Sequence, residues 1–180
     1  HGTIANEHVC CIVCHLPSRL HGDDFYRVSG AQQVTKLKEQ ILADDPSTKI
    51  FIMGDMNDDP TDRSMTKGLR GREKISDVGK NDLYNPWIEV IKSGTGTLRY
   101  DGGWNLFDQI LLTPNLLNKD GKKDFSSLRY FKHQVFRRDY LFQTEGKYKG
   151  NPKRTHAGGQ WLDGYSDHLP VVVYLLKEQK

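Results

Sequence analysis

The stretch from Lys49 to Asn57, KIFIMGDMN, carries a continuous apolar run that ends at Gly54 and continues into a polar segment. A short apolar run closed by turn-forming residues is typical of a buried strand that leads into a loop. Upstream, His8 to Leu16 (HVCCIVCHL) is a second run of this kind and stops before Pro17. Residues 25–43 between them have apolar side chains at helical spacing. The order strand, helix, strand predicts a βαβ unit in an α/β protein with a covered sheet.

The intervening helix is expected to bury one apolar stripe and to begin at an acidic cap. Asp23 or Asp24 can serve as the N-cap, because a carboxylate accepts hydrogen bonds from free backbone N–H groups. The residues predicted to face the sheet are Val28, Ala31, Val34, Leu37 and Ile41.

The rest of the chain predicts shorter elements in a single domain. We expect short helices at 60–69 and 88–91, strands at 94–100 and 107–113, an extended segment at 127–141, a glycine-rich loop at 146–164 and a final buried strand at 170–176. A chain of 180 residues suits one domain, and its hydrophobic fraction of 36% permits a core. It contains no run of roughly 20 apolar residues, the length of a membrane-spanning helix.

Charge and cysteine content restrict the function classes only weakly. The net charge of +3 is too small to indicate nucleic-acid binding by itself. Cys10 and Cys14 are four residues apart, roughly 13 Å along a strand, which is too far for a disulfide. Free buried thiols are the preferred interpretation, and a zinc site of Cys10, Cys14 and His15 is the alternative.

Polar clusters border the predicted strands at their ends, where many α/β proteins place their functional sites. The residues concerned are His15, Asp55, Asn57, Asp108, Asp167 and His168. Most have an ordinary explanation, since Asp and Asn dominate turns and histidines can be satisfied inside a core. Asp108 is different, because a carboxylate inside an apolar strand is costly to bury without a partner. His168 is the candidate partner, since a carboxylate fixes the tautomer of a histidine and raises its pKa.

Three motifs in order resemble the endonuclease/exonuclease/phosphatase superfamily, which is DNase I-like. They are Gly54-Asp55-Met56-Asn57, Phe107-Asp108-Gln109-Ile110 and Ser166-Asp167-His168. The segments HLPSR, LYNPW, WNLFDQ and YKGNPKRT are most similar to a bacterial branch. The resemblance implies a four-layer α/β sandwich and hydrolysis of phosphate esters with Mg²⁺ or Mn²⁺.

The resemblance also implies roles for individual residues. Asp55 orients or deprotonates the attacking water, and Asn57 holds the water or a phosphate oxygen. Asp167 binds the metal, and His168, held by Asp108, stabilises charge on the phosphate. His15 matches a second histidine that protonates the leaving oxygen.

The chain departs from the family pattern before His15. No segment matches the Asn and the metal-binding Glu that family members carry there. We therefore expect residues 1–180 to be the C-terminal portion of a single family domain, with impaired activity when isolated. The alternative is a pseudoenzyme.

Substrate clues come from basic residues. The segment 119–154 is rich in charge, with Lys122, Lys123, Arg129, Lys132, Arg137, Arg138, Lys147, Lys149, Lys153 and Arg154 interleaved with aromatic residues. This pattern fits a nucleic-acid surface, but a solvated hairpin whose aromatic residues face the core is the preferred interpretation, because strand alternation already explains the aromatic residues. Arg19 and Arg154 are the candidate phosphate-binding residues, because guanidinium groups bind phosphate bidentately.

Four functions are compatible with these residues. The leading one is a metal-dependent phosphodiesterase or nuclease, whose phosphate-ester substrates include nucleic acid. The alternatives are a phosphomonoesterase on sugar or inositol phosphates, or a sphingomyelinase-like lipid hydrolase. From a different class, a catalytically inactive binding module could keep the same scaffold. The sequence identifies neither an obligate protein partner nor a compartment.

Overall fold

The computed structural model describes residues 1–21, 23–119, 121 and 123–179. The strands are β1 (Gly2–Ile4), β2 (Glu7–His15), β3 (Lys49–Asp55), β4 (Gly71–Arg72), β5 (Leu83–Tyr84), β6 (Leu98–Tyr100), β7 (Gly103–Asn105), β8 (Asp108–Leu112), β9 (Arg129–Val135), β10 (His156–Ala157), β11 (Gln160–Trp161) and β12 (Val171–Leu176). The α-helices are α1 (Phe25–Asp44) and α2 (Trp87–Lys92). Shorter helical turns lie at Arg19–His21, Ser64–Gly68, Ile75–Asp77, Pro114–Leu116 and Asp139–Leu141.

The central sheet has six strands in the order β1-β2-β3-β8-β5-β4. Strands β2 and β3 are parallel and are joined through α1, which confirms the predicted βαβ unit. Strand β8 pairs antiparallel with β3, so the sheet is mixed. The predicted α/β class is therefore correct.

Two apolar clusters cover the two faces of this sheet. On one face Ala31 of α1 packs with Ile50 and Ile52 of β3. On the other face Phe51 and Leu112 pack with side chains of a second, two-stranded sheet formed by β9 and β12. Helix, sheet and second sheet are thus three successive layers.

The final strand is only half-buried, contrary to the sequence-based expectation. Val173 and Leu175 pack against the central sheet, whereas Tyr174 and Leu176 point outward and are 37% and 40% exposed. Phe131 of β9 is also exposed. Within the part of the chain that the structure describes, no fourth layer covers these side chains.

Helix α1 follows the predicted stripe with one exception. Ala31 is buried and Val34 and Ile41 pack on the core, but Leu37 is 44% exposed. The neighbouring Lys38 is buried instead, and its Nζ donates a hydrogen bond to the Asn81 carbonyl. The helix start is stabilised by Asp23, whose Oδ1 accepts a hydrogen bond from the Phe25 N–H at 2.8 Å.

The remaining segments are more irregular than predicted. The segment 60–69 contains a π-helical turn at Ser64–Gly68, and 94–100 is a strand only from Leu98. The glycine-rich loop 146–164 contains the short β10–β11 hairpin. Among the described residues no helix is both long and apolar enough to span a membrane.

Candidate active site

The centre of the site is a contact between Asp108 and His168. The His168 Nδ1 and the Asp108 Oδ2 are 2.7 Å apart, so the predicted pairing is present. Asp108 begins β8, and His168 lies just before β12. Thr97 joins the two segments, because its carbonyl accepts the Leu169 N–H at 2.8 Å and its hydroxyl accepts the Asp108 N–H at 3.3 Å.

The electrostatic environment of His168 favours its protonated form. Burial alone would lower the pKa of His168, but the hydrogen bond and charge of Asp108, with the charges of Asp55 and Asp167, raise it above its ordinary value. The imidazole can therefore present a cationic donor to a phosphate oxygen.

Strand register brings three predicted residues to one end of the central sheet. His15 is opposite Asp55 in the β2–β3 pair, and Asp55 is opposite Asp108 in the β3–β8 pair. Residues that are opposite each other in neighbouring strands share a face of the sheet. The His15 Nε2 lies 3.6 Å from the Asp55 Oδ2.

Gly54 is required for the close approach of β2 and β3 beside these residues. Its φ is +134°, and a Cβ at this position would lie 2.0 Å from the Cys14 carbonyl oxygen. Any side chain would push the strands apart at the point where His15 and Asp55 meet.

Asn57 is held in the loop after β3 by its own amide groups. Its backbone N–H donates to the Asp55 Oδ1 at 2.9 Å, and its Nδ2 donates to the Leu16 carbonyl at 2.8 Å. The residue has a positive φ of 49°, a conformation that Asn tolerates better than most residues. Its position next to Asp55 agrees with the sequence prediction, and its catalytic role stays a prediction.

Arg19 contacts the loop after β3. Its Nε donates to the Asn57 carbonyl at 3.0 Å, and its guanidinium contacts Asp62 at 2.6 Å and Asp59 at 3.3 Å. It also stacks 4.5 Å from the centre of the Phe107 ring. Its Nε and Nη2 thus donate within the protein, and the predicted phosphate contact of Arg19 stays a prediction.

Arg154 and Asp167 lie beside the central pair and contact each other. The Arg154 guanidinium and the Asp167 Oδ2 are 3.5 Å apart, and both side chains are about half exposed. A long, exposed pair of this kind contributes little to stability and is easily exchanged for a ligand. The predicted phosphate contact of Arg154 and the metal contact of Asp167 stay predictions.

Sequence reasoning missed the supports behind the site. Asp58 is buried and accepts hydrogen bonds from the Arg27 Nε at 2.8 Å and the Ser64 hydroxyl at 2.6 Å. The Gln109 Nε2 donates to the Asp58 carbonyl at 2.9 Å. The acidic run from Asp58 to Asp62 was the available signal, since so many neighbouring carboxylates require cationic or donor partners.

The described side chains do not form a complete metal site by themselves. Within residues 1–21, 23–119, 121 and 123–179, no group of three or more His, Cys, Asp or Glu side chains is arranged to hold a metal ion. Mg²⁺ usually uses one or two carboxylates together with waters and substrate phosphates. Asp167 could supply one such carboxylate, but the described side chains form no preassembled cage.

The predictions for the cysteines and for the aromatic residues of the basic segment each hold for some residues and not for others. All three cysteines are free thiols, with Cys10 buried and Cys11 exposed, so the buried-thiol prediction holds only in part. In the basic segment Tyr130 packs on the core, whereas Phe131, Tyr140 and Tyr148 are exposed. Lys122 lies outside the described residues.

Comparison with known proteins identifies the family that has this fold. Residues 1–177 match the Endonuclease/Exonuclease/phosphatase family, and the chain therefore belongs to this family. Proteins of this family are hydrolytic phosphoesterases and generally use divalent metal ions. No curated protein sequence is significantly similar to the chain.

Two solved structures are similar to the chain at low sequence identity. A mannosyl-6-phosphatase from Bacteroides thetaiotaomicron is 17% identical with a TM-score of 0.50, over 92% of this chain and 50% of that one. The beta toxin of Staphylococcus aureus is 17% identical with a TM-score of 0.49, over 96% of this chain and 54% of the toxin. The chain thus spans about half the length of the solved structures that it matches.

Proposed function

We propose that this chain hydrolyses phosphate esters, with phosphodiesters, including nucleic acid, as the preferred substrates. The observation that carries the proposal is the 2.7 Å contact between Asp108 and His168 beside Asp55. A carboxylate-bound imidazolium next to a second carboxylate combines a site for an anion with a base for water.

In the proposed reaction, water attacks phosphorus and the bond from phosphorus to the leaving oxygen breaks. Asp55 orients the water and accepts its proton. Asn57, next to Asp55, holds the water by accepting its hydrogen bond at the side-chain carbonyl, or holds a non-bridging oxygen by donating the second N–H of its Nδ2. His168 donates a hydrogen bond to a non-bridging oxygen, and Asp108 fixes its tautomer.

His15 is proposed to protonate the leaving oxygen. Its side chain is 77% exposed, so a leaving group can depart into solvent on its side of the site. Arg154, once released from Asp167, binds the substrate phosphate.

We propose Asp167 as the ligand of Mg²⁺ or Mn²⁺. The ion would neutralise charge on the phosphate. Because no group of three ligating side chains is arranged around an ion in the described residues, we expect the chain alone to bind Mg²⁺ weakly. Isothermal titration with Mg²⁺, with and without inorganic phosphate, measures this. Tight binding without phosphate would contradict the expectation.

A substrate panel tests the proposed function. Bis-p-nitrophenyl phosphate, p-nitrophenyl phosphate and supercoiled plasmid are assayed with Mg²⁺, Mn²⁺, Ca²⁺ or EDTA, using the His168→Ala variant as the control for contaminants. Metal-dependent diester cleavage that His168→Ala abolishes supports the proposal. Monoester release alone would favour the phosphomonoesterase, and no turnover of any substrate would favour a binding module.

A further inference from the structure

Two arginines flank a tryptophan close to His168. The Cζ atoms of Arg99 and Arg137 lie 5.8 Å and 4.7 Å from the centre of the Trp104 ring. Arg137 also lies 4.9 Å from the Phe142 ring, which meets Trp104 edge-on. We call Arg99, Trp104, Arg137 and Phe142 the Trp104 cluster.

Backbone contacts place this cluster beside the candidate active site. Arg99 is opposite Trp104 in the β6–β7 pair, and the preceding residue, Leu98, forms a β-bridge with His168. On the other side, Arg137 follows Phe136, whose N–H donates to the Pro170 carbonyl at 2.7 Å. The two guanidiniums thus come from the two segments that flank His168 and Pro170.

The cations of the Trp104 cluster lack acidic partners. Among the described residues, carboxylates pair with the guanidiniums of Arg19, Arg27, Arg63, Arg70, Arg72 and Arg154, but not with Arg99 or Arg137. The Arg99 Nε has only a 3.4 Å contact with the Gly102 carbonyl. Stacking on rings restricts the guanidiniums while leaving their edges able to donate.

Unneutralised, restricted guanidiniums next to a phosphate site attract a further anion. We propose that the Trp104 cluster binds a second phosphate-type group of the substrate, next to the one that is cleaved. This proposal rests on the proposed function, because it assumes that the scissile phosphate lies at His168. The second group could be a neighbouring phosphodiester of a polynucleotide or a second phosphate on a small molecule, and the experiments separate these sources.

Binding can be measured without turnover. Inorganic tripolyphosphate is titrated into the protein in the presence of EDTA, and tryptophan fluorescence is recorded. The same titration of Trp104→Phe shows which part of the signal comes from Trp104. We expect a saturable change that Trp104→Phe removes. Binding should be at least about 10-fold weaker in Arg99→Gln/Arg137→Gln, because the loss of even one hydrogen bond to a charged group has an effect of that size.

Arg138→Gln is the matched control for this titration. Arg138 is the next residue, and its guanidinium stacks on Phe136, 4.7 Å away, instead of Trp104. An equal loss of affinity in Arg138→Gln would indicate general electrostatic attraction and overturn the proposal, as would unchanged affinity in the double variant.

Kinetics then identify the source of the second group. We compare two ratios of kcat/KM in the wild type and the double variant. The first is the ratio for fructose 1,6-bisphosphate over fructose 6-phosphate. The second is the ratio for a thymidine trinucleotide over the dinucleotide. We expect one ratio to fall about 10-fold in the double variant, and the affected pair names the source. If both ratios were unchanged, the proposal would be wrong. If the wild type turned over none of these substrates, the proposed function would fail, and the tripolyphosphate titration would still decide whether the cluster binds anions.

Discussion

The Asp108 carboxylate is the single side chain on which most of the proposed chemistry depends. It contacts His168, and Asp108 lies opposite Asp55 in the sheet. The backbone N–H of Asp108 donates a hydrogen bond to the Thr97 hydroxyl. Both members of the Asp108–His168 pair are roughly a fifth exposed, so their contact can act on a substrate that reaches them from solvent.

Replacing Asp108 by Asn tests this dependence. The amide keeps the shape but removes the charge that raises the pKa of His168, so the imidazole loses its cationic character. We expect kcat for a phosphodiester to fall by about 10²–10⁴. Asp77→Asn, at an exposed position away from the site, is the control. Wild-type kcat in Asp108→Asn would contradict the assigned role.

Arg19 should influence activity indirectly, by positioning Asn57. Its hydrogen bond to the Asn57 carbonyl and its pairs with Asp59 and Asp62 hold the loop after β3. The guanidinium is partly exposed, so these pairs contribute about 0–1 kcal/mol to stability. Activity should be more sensitive, since a displaced Asn57 no longer meets the substrate correctly.

For Arg19→Ala we therefore expect kcat to fall at least about 10-fold while the free energy of unfolding changes by about 1 kcal/mol or less. Steady-state kinetics and urea unfolding of the same preparation measure both quantities. Arg63→Ala, which removes an exposed pair with Asp24, should leave kcat unchanged. An increase in KM with an unchanged kcat would instead support the phosphate-binding interpretation of Arg19.

Between elements, the contact of α1 with the loop after β3 depends on a buried charge pair. Arg27 and Asp58 are 5% and 3% exposed, and the Ser64 hydroxyl supplies a further donor to Asp58. Removing one member of a buried pair leaves the other charge without compensation.

Arg27→Met should destabilise the protein by about 3 kcal/mol, because the buried Asp58 loses its 2.8 Å partner and keeps only the longer, 3.3 Å contact with the partly exposed Arg19. Urea unfolding followed by circular dichroism gives the change. Adding Asp58→Asn to Arg27→Met should restore part of the loss, whereas Arg63→Met at an exposed pair should cost little. A loss below about 1 kcal/mol would contradict this expectation and show that Arg19 is enough to compensate the Asp58 carboxylate.

Across the whole molecule, a network around Glu7 joins the two sheets. Glu7 of β2 accepts from Lys49 of β3 and from Lys177, which follows β12. It also accepts from the Ser127 hydroxyl and the Leu128 N–H, just before β9. Burial opposes the charge on Glu7, but these donors outweigh it and lower the pKa of Glu7 from 4.5 to about 2.

A carboxyl group whose pKa is lowered by folding stabilises the folded state at pH values above its pKa in the unfolded chain. This stabilisation is lost as the pH falls towards its pKa in the folded state. For Glu7 the loss should occur as the pH falls from 4.5 to about 2. Glu7→Gln should be less stable than wild type at pH 7, and the difference should shrink across this window. Thermal melts at several pH values measure it, with Glu73→Gln at the more exposed Lys92 pair as the control. A constant difference between pH 7 and pH 2 would contradict the assignment.

Local sequence predicted the elements that have their own pattern. The apolar runs 8–16 and 49–53 and the helical spacing of 25–43 each contain enough apolar surface to define a strand or a helix. Asp108 could be paired with His168 in advance, because a carboxylate in an apolar strand requires a partner and few candidates border the other strands. The strand register, which places His15 opposite Asp55 and Asp55 opposite Asp108, was not predicted.

The sequence by itself determined the α/β class, the βαβ unit and the set of polar residues at the strand ends. Only the tertiary structure decided that Lys38 is buried and Leu37 exposed, that Arg19 contacts carboxylates of the next loop, and that Arg99 and Arg137 meet at Trp104. The physical reason is that periodicity reports which face of an element is apolar, but not which distant charge is packed against it. Charge pairing and cation stacking depend on contacts between segments far apart in the chain, and these exist only once the layers are assembled.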